Sequence, residues 1–170
     1  ETIPALIDKA TRQTEPSQMT KPEVGDQVSH LFEAIGVLKA NDAMPLLMQY
    51  VPKDYYHADR TRGAAIWAIG RLMEGARDPA LERALSNRIY DFADQQPETS
   101  LVKQMCVVAL ARMNVTEQAG MLRGMVAQIP RPIELAVTLR WAVQQLTGEE
   151  LPPPEPINVD QGNWFLEPIP

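Results

Sequence analysis

The stretch that decides the fold is Arg62-Gly63-Ala64-Ala65-Ile66-Trp67-Ala68-Ile69-Gly70-Arg71-Leu72. Centred on Ala68, it places apolar or small residues three positions before the alanine, at it, one after it and four after it. That is the spacing of a helix with one buried face. The pattern recurs three times. Leu31-Phe32-Glu33-Ala34-Ile35-Gly36-Val37-Leu38 lies before it; Cys106-Val107-Val108-Ala109-Leu110-Ala111-Arg112-Met113 and Leu139-Arg140-Trp141-Ala142-Val143-Gln144-Gln145-Leu146 lie after it. The central alanines are 34, 41 and 33 residues apart. The small residue two places on, Gly36, Gly70 or Ala111, predicts close approach of a neighbouring helix.

A second helical stripe lies between successive copies: Met44, Leu47, Met48 and Val51; Leu81, Leu85, Ile89 and Phe92; Leu122, Met125, Val126 and Ile129. Pro45 suits an early helical position, Asp78-Pro79 reads as N-cap plus first-turn proline, and Thr116 is the expected cap of the third helix. Breaks are expected at Asn41-Asp42, Lys53-Asp54, Gly75 to Pro79, Gln96-Pro97, Asn114 and Pro130 to Pro132. Residues 3–12 read as one more helix, followed by a polar connector over 13–22. No stretch alternates with period two, so no sheet is expected.

These motifs resemble HEAT repeats of the short bacterial kind, like those of bilin lyases, in the arginine, paired small residues and Ala-hydrophobic-Gly of residues 62–72. Val102 to Arg112 is a looser match with Lys103 in the basic position, and Met44-Pro45-Leu46-Leu47 resembles the start of a second helix. Val28 and Ala136 replace the basic residue in the first and last copies, and Gln144 replaces the small one. The resemblance implies an all-α, α-α superhelix, a HEAT-like solenoid of stacked helical hairpins. Its repeats span about 24–53, 58–95, 98–129 and 131–147 within a 1–147 domain. Tetratricopeptide repeats share the period near 34, but their Trp-x-x-Leu-Gly-x-x-Tyr signature is absent.

Residues 148–170 hold Pro152, Pro153, Pro154, Pro156, Pro168 and Pro170, which predicts an extended Pro-rich C-terminal tail. Trp164, Phe165 and Leu166 are expected to cap the last hairpin. Leu151 to Pro156 as a ligand for an SH3-like groove is the weaker reading, because its flanking Glu149, Glu150 and Glu155 supply no basic residue.

The net charge of −6 repels a phosphate backbone, and six arginines between residues 60 and 88 are balanced by six acids between 59 and 94. Nucleic acid is therefore not an expected partner, and no run is long and apolar enough for a membrane span. The single cysteine, Cys106, has apolar neighbours and reads as a buried core thiol. Of the two histidines, His30 is expected to pack partly buried and His57 to sit in a turn; neither has metal-ligand spacing to Cys, Asp or Glu. There is no His-Glu pair of the kind carried by HEAT-repeat iron hydroxylases, no phosphate-cradling loop and no nucleophile elbow. No cofactor, metal or catalytic residue is expected. Trp67 and Trp141 occupy equivalent positions, core if they face the next hairpin and interface anchors if they face outward.

The functional expectation that the resemblance carries is a non-catalytic protein-protein interaction scaffold. Its second helices would line a concave face, with Gln49, Arg83, Asn87, Arg88, Asp91 and Arg123 as candidate contact residues off the apolar stripes. The partner would be another protein or other domains of the same chain, bound by a monomer. Because the chain opens on Glu1 and not on methionine, it is expected to be processed or part of a longer protein. A HEAT-like enzyme of the bilin-lyase type, or a small-molecule-binding solenoid, is the alternative.

Overall fold

A computed structural model describes residues 2–14, 22–54, 56–92, 95–129 and 133–153. Eight α-helices and no strand occur among them: α1 (Thr2–Gln13), α2 (Pro22–Val37), α3 (Met44–Leu47), α4 (Asp59–Leu72), α5 (Pro79–Ile89), α6 (Ser100–Arg112), α7 (Ala119–Gln128) and α8 (Glu134–Thr147). The four copies of the repeat are α2, α4, α6 and α8. They pack in chain order, α2 on α4, α4 on α6 and α6 on α8. The intervening helices pack chiefly on the copy that follows them: α3 on α4, α5 on α6 and α7 on α8, while α1 lies on α2.

The small residues two places after each central alanine explain the tight row. A Cβ built on Gly36 would lie 2.9 Å from Ala68 Cα, and one on Gly70 would lie 2.7 Å from Ala109 Cα. Each glycine therefore meets the central alanine of the next copy, at a separation no larger residue permits. Ser29 Oγ reaches Thr61 Oγ1 (3.4 Å) across the same α2–α4 joint. The stripes form one continuous core that includes Phe32, Ile66, Leu85, Leu110, Leu122 and Leu139. Each such burial stabilises the fold by about 1.5–3 kcal/mol.

Of the three turns that join a repeat helix to the helix after it, two share one geometry. Lys39 (φ 50°) and Asn114 (φ 59°), each five residues past the central alanine, adopt the left-handed conformation. The following residues then bond back alike, Ala40 N–H to Ile35 O (3.1 Å) and Val115 N–H to Leu110 O (3.1 Å). A short 3-10 turn follows in both, Asn41–Ala43 or Thr116–Gln118. Thr116 is thus part of that turn and not the cap of α7, whose N-cap Gln118 makes no side-chain cap bond. The middle turn uses Gly75 (φ 73°), and Asp78 caps α5 as expected, its Oδ1 accepting from the N–H groups of Ala80 (2.9 Å) and Leu81 (3.0 Å). The stripe from Met44 to Val51 is a single α-turn extended by the 3-10 turn Met48–Tyr50, shorter than the periodicity predicts.

The 41-residue spacing also has a structural account. Compared with the first copy, the second gains one residue at the end of its repeat helix, a full turn of helix in α5 and two residues in the segment that follows. That longer loop, residues 90–99, carries the acidic groups described below.

At the C-terminal end, Gly148 (φ 74°) ends α8, Glu149 pairs with Arg123, Leu151 packs against the core and Arg140 Nε donates to the Pro152 carbonyl (3.2 Å). The expected cap by Trp164, Phe165 and Leu166 lies outside the described residues.

Candidate functional site

The basic position of the repeat, six residues before the central alanine, is buried in all four copies: Val28, Arg62, Lys103 and Ala136. In the outer copies it is apolar and needs nothing. In the two middle copies it carries a charge into the interior, where a charge must be paired. Loop 90–99 supplies the pairing. Arg62 Nη1 and Nη2 donate to the two carboxylate oxygens of Glu98 (3.0 and 2.5 Å), with side-chain exposures of 3% and 1%. Glu98 Oε1 also accepts from the N–H of Thr99 (2.9 Å). Lys103 places its Nζ 3.5 Å from the centre of the Phe92 ring, a cation–π contact. Burial lowers the Lys103 pKa, while Asp91 and Glu98 pull it back up. Lys53 pairs with Asp91 (2.5 Å) and donates to the Gln96 carbonyl (2.5 Å), so the preceding loop is fastened to the same point. Cys106 lies beneath this knot, fully buried as expected; burial pushes its pKa well up and neighbouring Glu98 adds to the shift.

A second feature lies on the outer side of the row. A shallow groove of about 490 Å³ crosses α2, α4 and α6, lined by Val37, Ala64, Trp67, Leu101 and Met105 with Glu33 and Arg60 among its walls. Val37 is 61% exposed. Trp67 is half-buried, its face covered by the Arg112 guanidinium at 4.8 Å, and its ring edge sits where a Gly36 Cβ would stand. The equivalent Trp141 is 36% exposed, so this position is partly open in both copies.

The six residues expected to form a binding face separate into two groups. Gln49, Arg83, Asn87 and Arg123 are exposed, Arg123 being paired with Glu149. Arg88 and Asp91 are not surface groups: they face each other at 4.0 Å, with side-chain exposures of 20% and 12%, and Asp91 belongs to the knot around Lys53. Sequence reasoning missed Glu98 and Phe92 as partners of the repeat's buried cations. The signal was the seven-residue excess in the middle spacing, which marks an insertion. His30 is also corrected: it is exposed and pairs with Glu33 (3.1 Å) instead of packing into the core. His57 sits in its turn, 2.9 Å from Asp54 and against the Tyr50 ring at 4.6 Å.

Chemically, the knot holds its charges in mutual contact, and the groove offers an apolar floor with one acid and one base on its walls. Among the described residues no group of three or more His, Cys, Asp or Glu side chains is placed to hold a metal ion, and no helix is long and apolar enough to cross a membrane. Compared with known protein families, with curated proteins and with solved structures, the chain matches none.

Proposed function

We propose that this chain is a HEAT-like α-solenoid with a Pro-rich C-terminal tail, and that it works as a non-catalytic scaffold presenting a helical surface to another protein or to further domains of its own chain. The observation that carries this reading is the outer groove. Trp67, Leu101, Met105 and Val37 leave apolar surface in water between charges of opposite sign, the composition of an interface core with a polar rim. The partner that fits presents an apolar side chain flanked by one basic and one acidic group, opposite Glu33 and Arg60. The step from fold to role is analogy, and it is supported by a built surface instead of a convergent set of reactive groups.

Two exposed positions on different faces test it. Val37→Glu charges the outer groove, and Arg83→Glu reverses a charge on the second-helix face. Capture of a defined protein by the parent, lost in Val37→Glu and kept in an equally helical Arg83→Glu, places binding on the outer face. The reverse pattern restores the second-helix face. Capture of a small molecule alone, by the parent and both variants, overturns the scaffold reading in favour of a small-molecule-binding solenoid.

A further inference from the structure

Among the described residues, the last helix of the row, α8, exposes a face that its predecessors cover. Five residues before the central alanine, Ser29 of α2 meets Thr61 of α4, and Gly63 of α4 lies against Leu101 and Met105 of α6, with a built Cβ 3.4 Å from each. In α6 the same position is Gln104, which is buried. This position therefore faces the following copy. In α8 it is Val137, which is 53% exposed. Ile133 and Trp141, four residues to either side and so on the same stripe, are exposed as well.

What covers such a face is constrained by its other residues. The position that lets the next helix come close is Gly36, Gly70 and Ala111 in the first three copies and Gln144 in the fourth. At Gly36 and Gly70 even a methyl group would strike the neighbouring backbone, so a glutamine keeps any further helix from reaching α8 at the separation of those two joints. The face suits something thinner than a helix. The described chain ends beside α8: Leu151 to Pro153 line the α7–α8 groove with Arg123, Val126 and Arg140, and Arg140, on α8, holds the Pro152 carbonyl. Beyond Pro153 the sequence runs Pro154-Glu155-Pro156-Ile157 and reaches Trp164-Phe165-Leu166. Eleven residues of extended chain span up to about 36 Å, against about 21 Å for a helix of the length of α8. These residues contain Glu155, Asp160 and Glu167 and no basic residue, and they leave from beside Arg123 and Arg140.

We propose that residues 154–170 close the open end of the row, with Trp164, Phe165 and Leu166 seated on the stripe of Ile133, Val137 and Trp141. This assignment is independent of any partner bound in the outer groove.

The test uses the full chain. Hydrogen exchange of the α8 amides is compared for the parent, the double variant Trp164→Ala/Phe165→Ala, and Val137→Asp, which changes an exposed position and leaves the core intact. The expected result is at least about tenfold faster exchange in both variants. Oxidative trapping then compares Val137→Cys/Phe165→Cys with Gly120→Cys/Phe165→Cys, whose first cysteine sits on the exposed side of α7; only the first pair should close within a single chain. Unchanged α8 exchange in the tail variant overturns the proposal. So does trapping that gives covalent dimers, which assigns the stripe to a second copy, or equal trapping of both pairs, which shows a tail with no preferred seat.

Discussion

The middle of the row and its two ends solve the same burial problem differently. At the position six residues before each central alanine, the outer copies place Val28 and Ala136, and the middle copies place Arg62 and Lys103, all four buried. The apolar pair is stable with no further arrangement. The charged pair requires loop 90–99, and it ties four segments to one another: the loop after α3 through Lys53, α4 through Arg62, α5 through Arg88, and α6 through Lys103. A buried ion pair adds little net stability over well-packed apolar side chains, but it is costly to break from one side. The middle joint is therefore the place where the repeat exchanges tolerance for a fixed arrangement.

The sharpest way to break this contrast is to remove one member of the buried pair. Arg62→Met leaves Glu98 buried without its bidentate partner and should cost about 3–5 kcal/mol, read as a fall in the denaturation midpoint. The double variant Arg62→Met/Glu98→Leu should recover most of that loss. Lys103→Met, at the same repeat position but with an aromatic face in place of a carboxylate partner, should stay within about 1 kcal/mol of the parent. Equal losses for Arg62→Met and Lys103→Met would mean that the two middle copies are not distinguished by their partners.

Next in size is the contrast between packed and open glycines. Gly70→Ala should destabilise by about 1–3 kcal/mol, because its methyl meets the Ala109 backbone. Gly124→Ala, in α7 where nothing lies within 4 Å of a built Cβ, should stabilise by about 0.8–1 kcal/mol. Thermal unfolding of the two single variants checks both signs.

The two matching turns give a smaller contrast. Lys39 has a side chain poorly suited to the left-handed conformation, so Lys39→Gly should add about 0.5–1 kcal/mol. Asn tolerates this conformation, and Asn114→Gly should add less.

Near neutral pH the smallest effect comes from the buried acids Cys106 and Tyr50. Burial raises both pKa values, that of Tyr50 to about 12. Below about pH 8.5 both groups keep their protons folded or unfolded and contribute no pH dependence. Above the ordinary thiol value, and then above about 10 for the phenol, the unfolded chain releases protons that the folded chain retains, so stability falls as pH rises. Tyr50→Phe should blunt the loss above about pH 10, and the Cys106 thiol should react with a disulfide reagent only on unfolding.

Much of the architecture was legible because it rests on local rules. The four copies, the helix at residues 2–13, the Asp78 cap and the close approach at Gly36 and Gly70 follow from periodicity, capping chemistry and side-chain size. Helix ends set by backbone conformation were not legible. Thr116 looks like a cap, but the left-handed Asn114 before it makes a turn that needs none, and Lys39, which no propensity rule favours there, does the same. The site was least legible because its partners come from an irregular loop. Nothing in the period places Glu98 against Arg62, and a stripe argument puts Arg88 and Asp91 on the surface when the same loop draws them inward. The sequence does not decide Trp67 and Trp141 between core and interface, because their partial exposure depends on how the row stacks.

The pairing of Arg62 with Glu98 also has a consequence for the order in which the chain assembles during synthesis. Helix α1 packs on α2, and α4 packs on both α2 and α3, so these four can associate once α4 has emerged. Arg62 lies within that early assembly, whereas its carboxylate is made 36 residues later. Until then the guanidinium lacks its carboxylate partner, so the joint between the first two copies is expected to stay hydrated and looser. Its consolidation is timed by the arrival of the loop that begins the third.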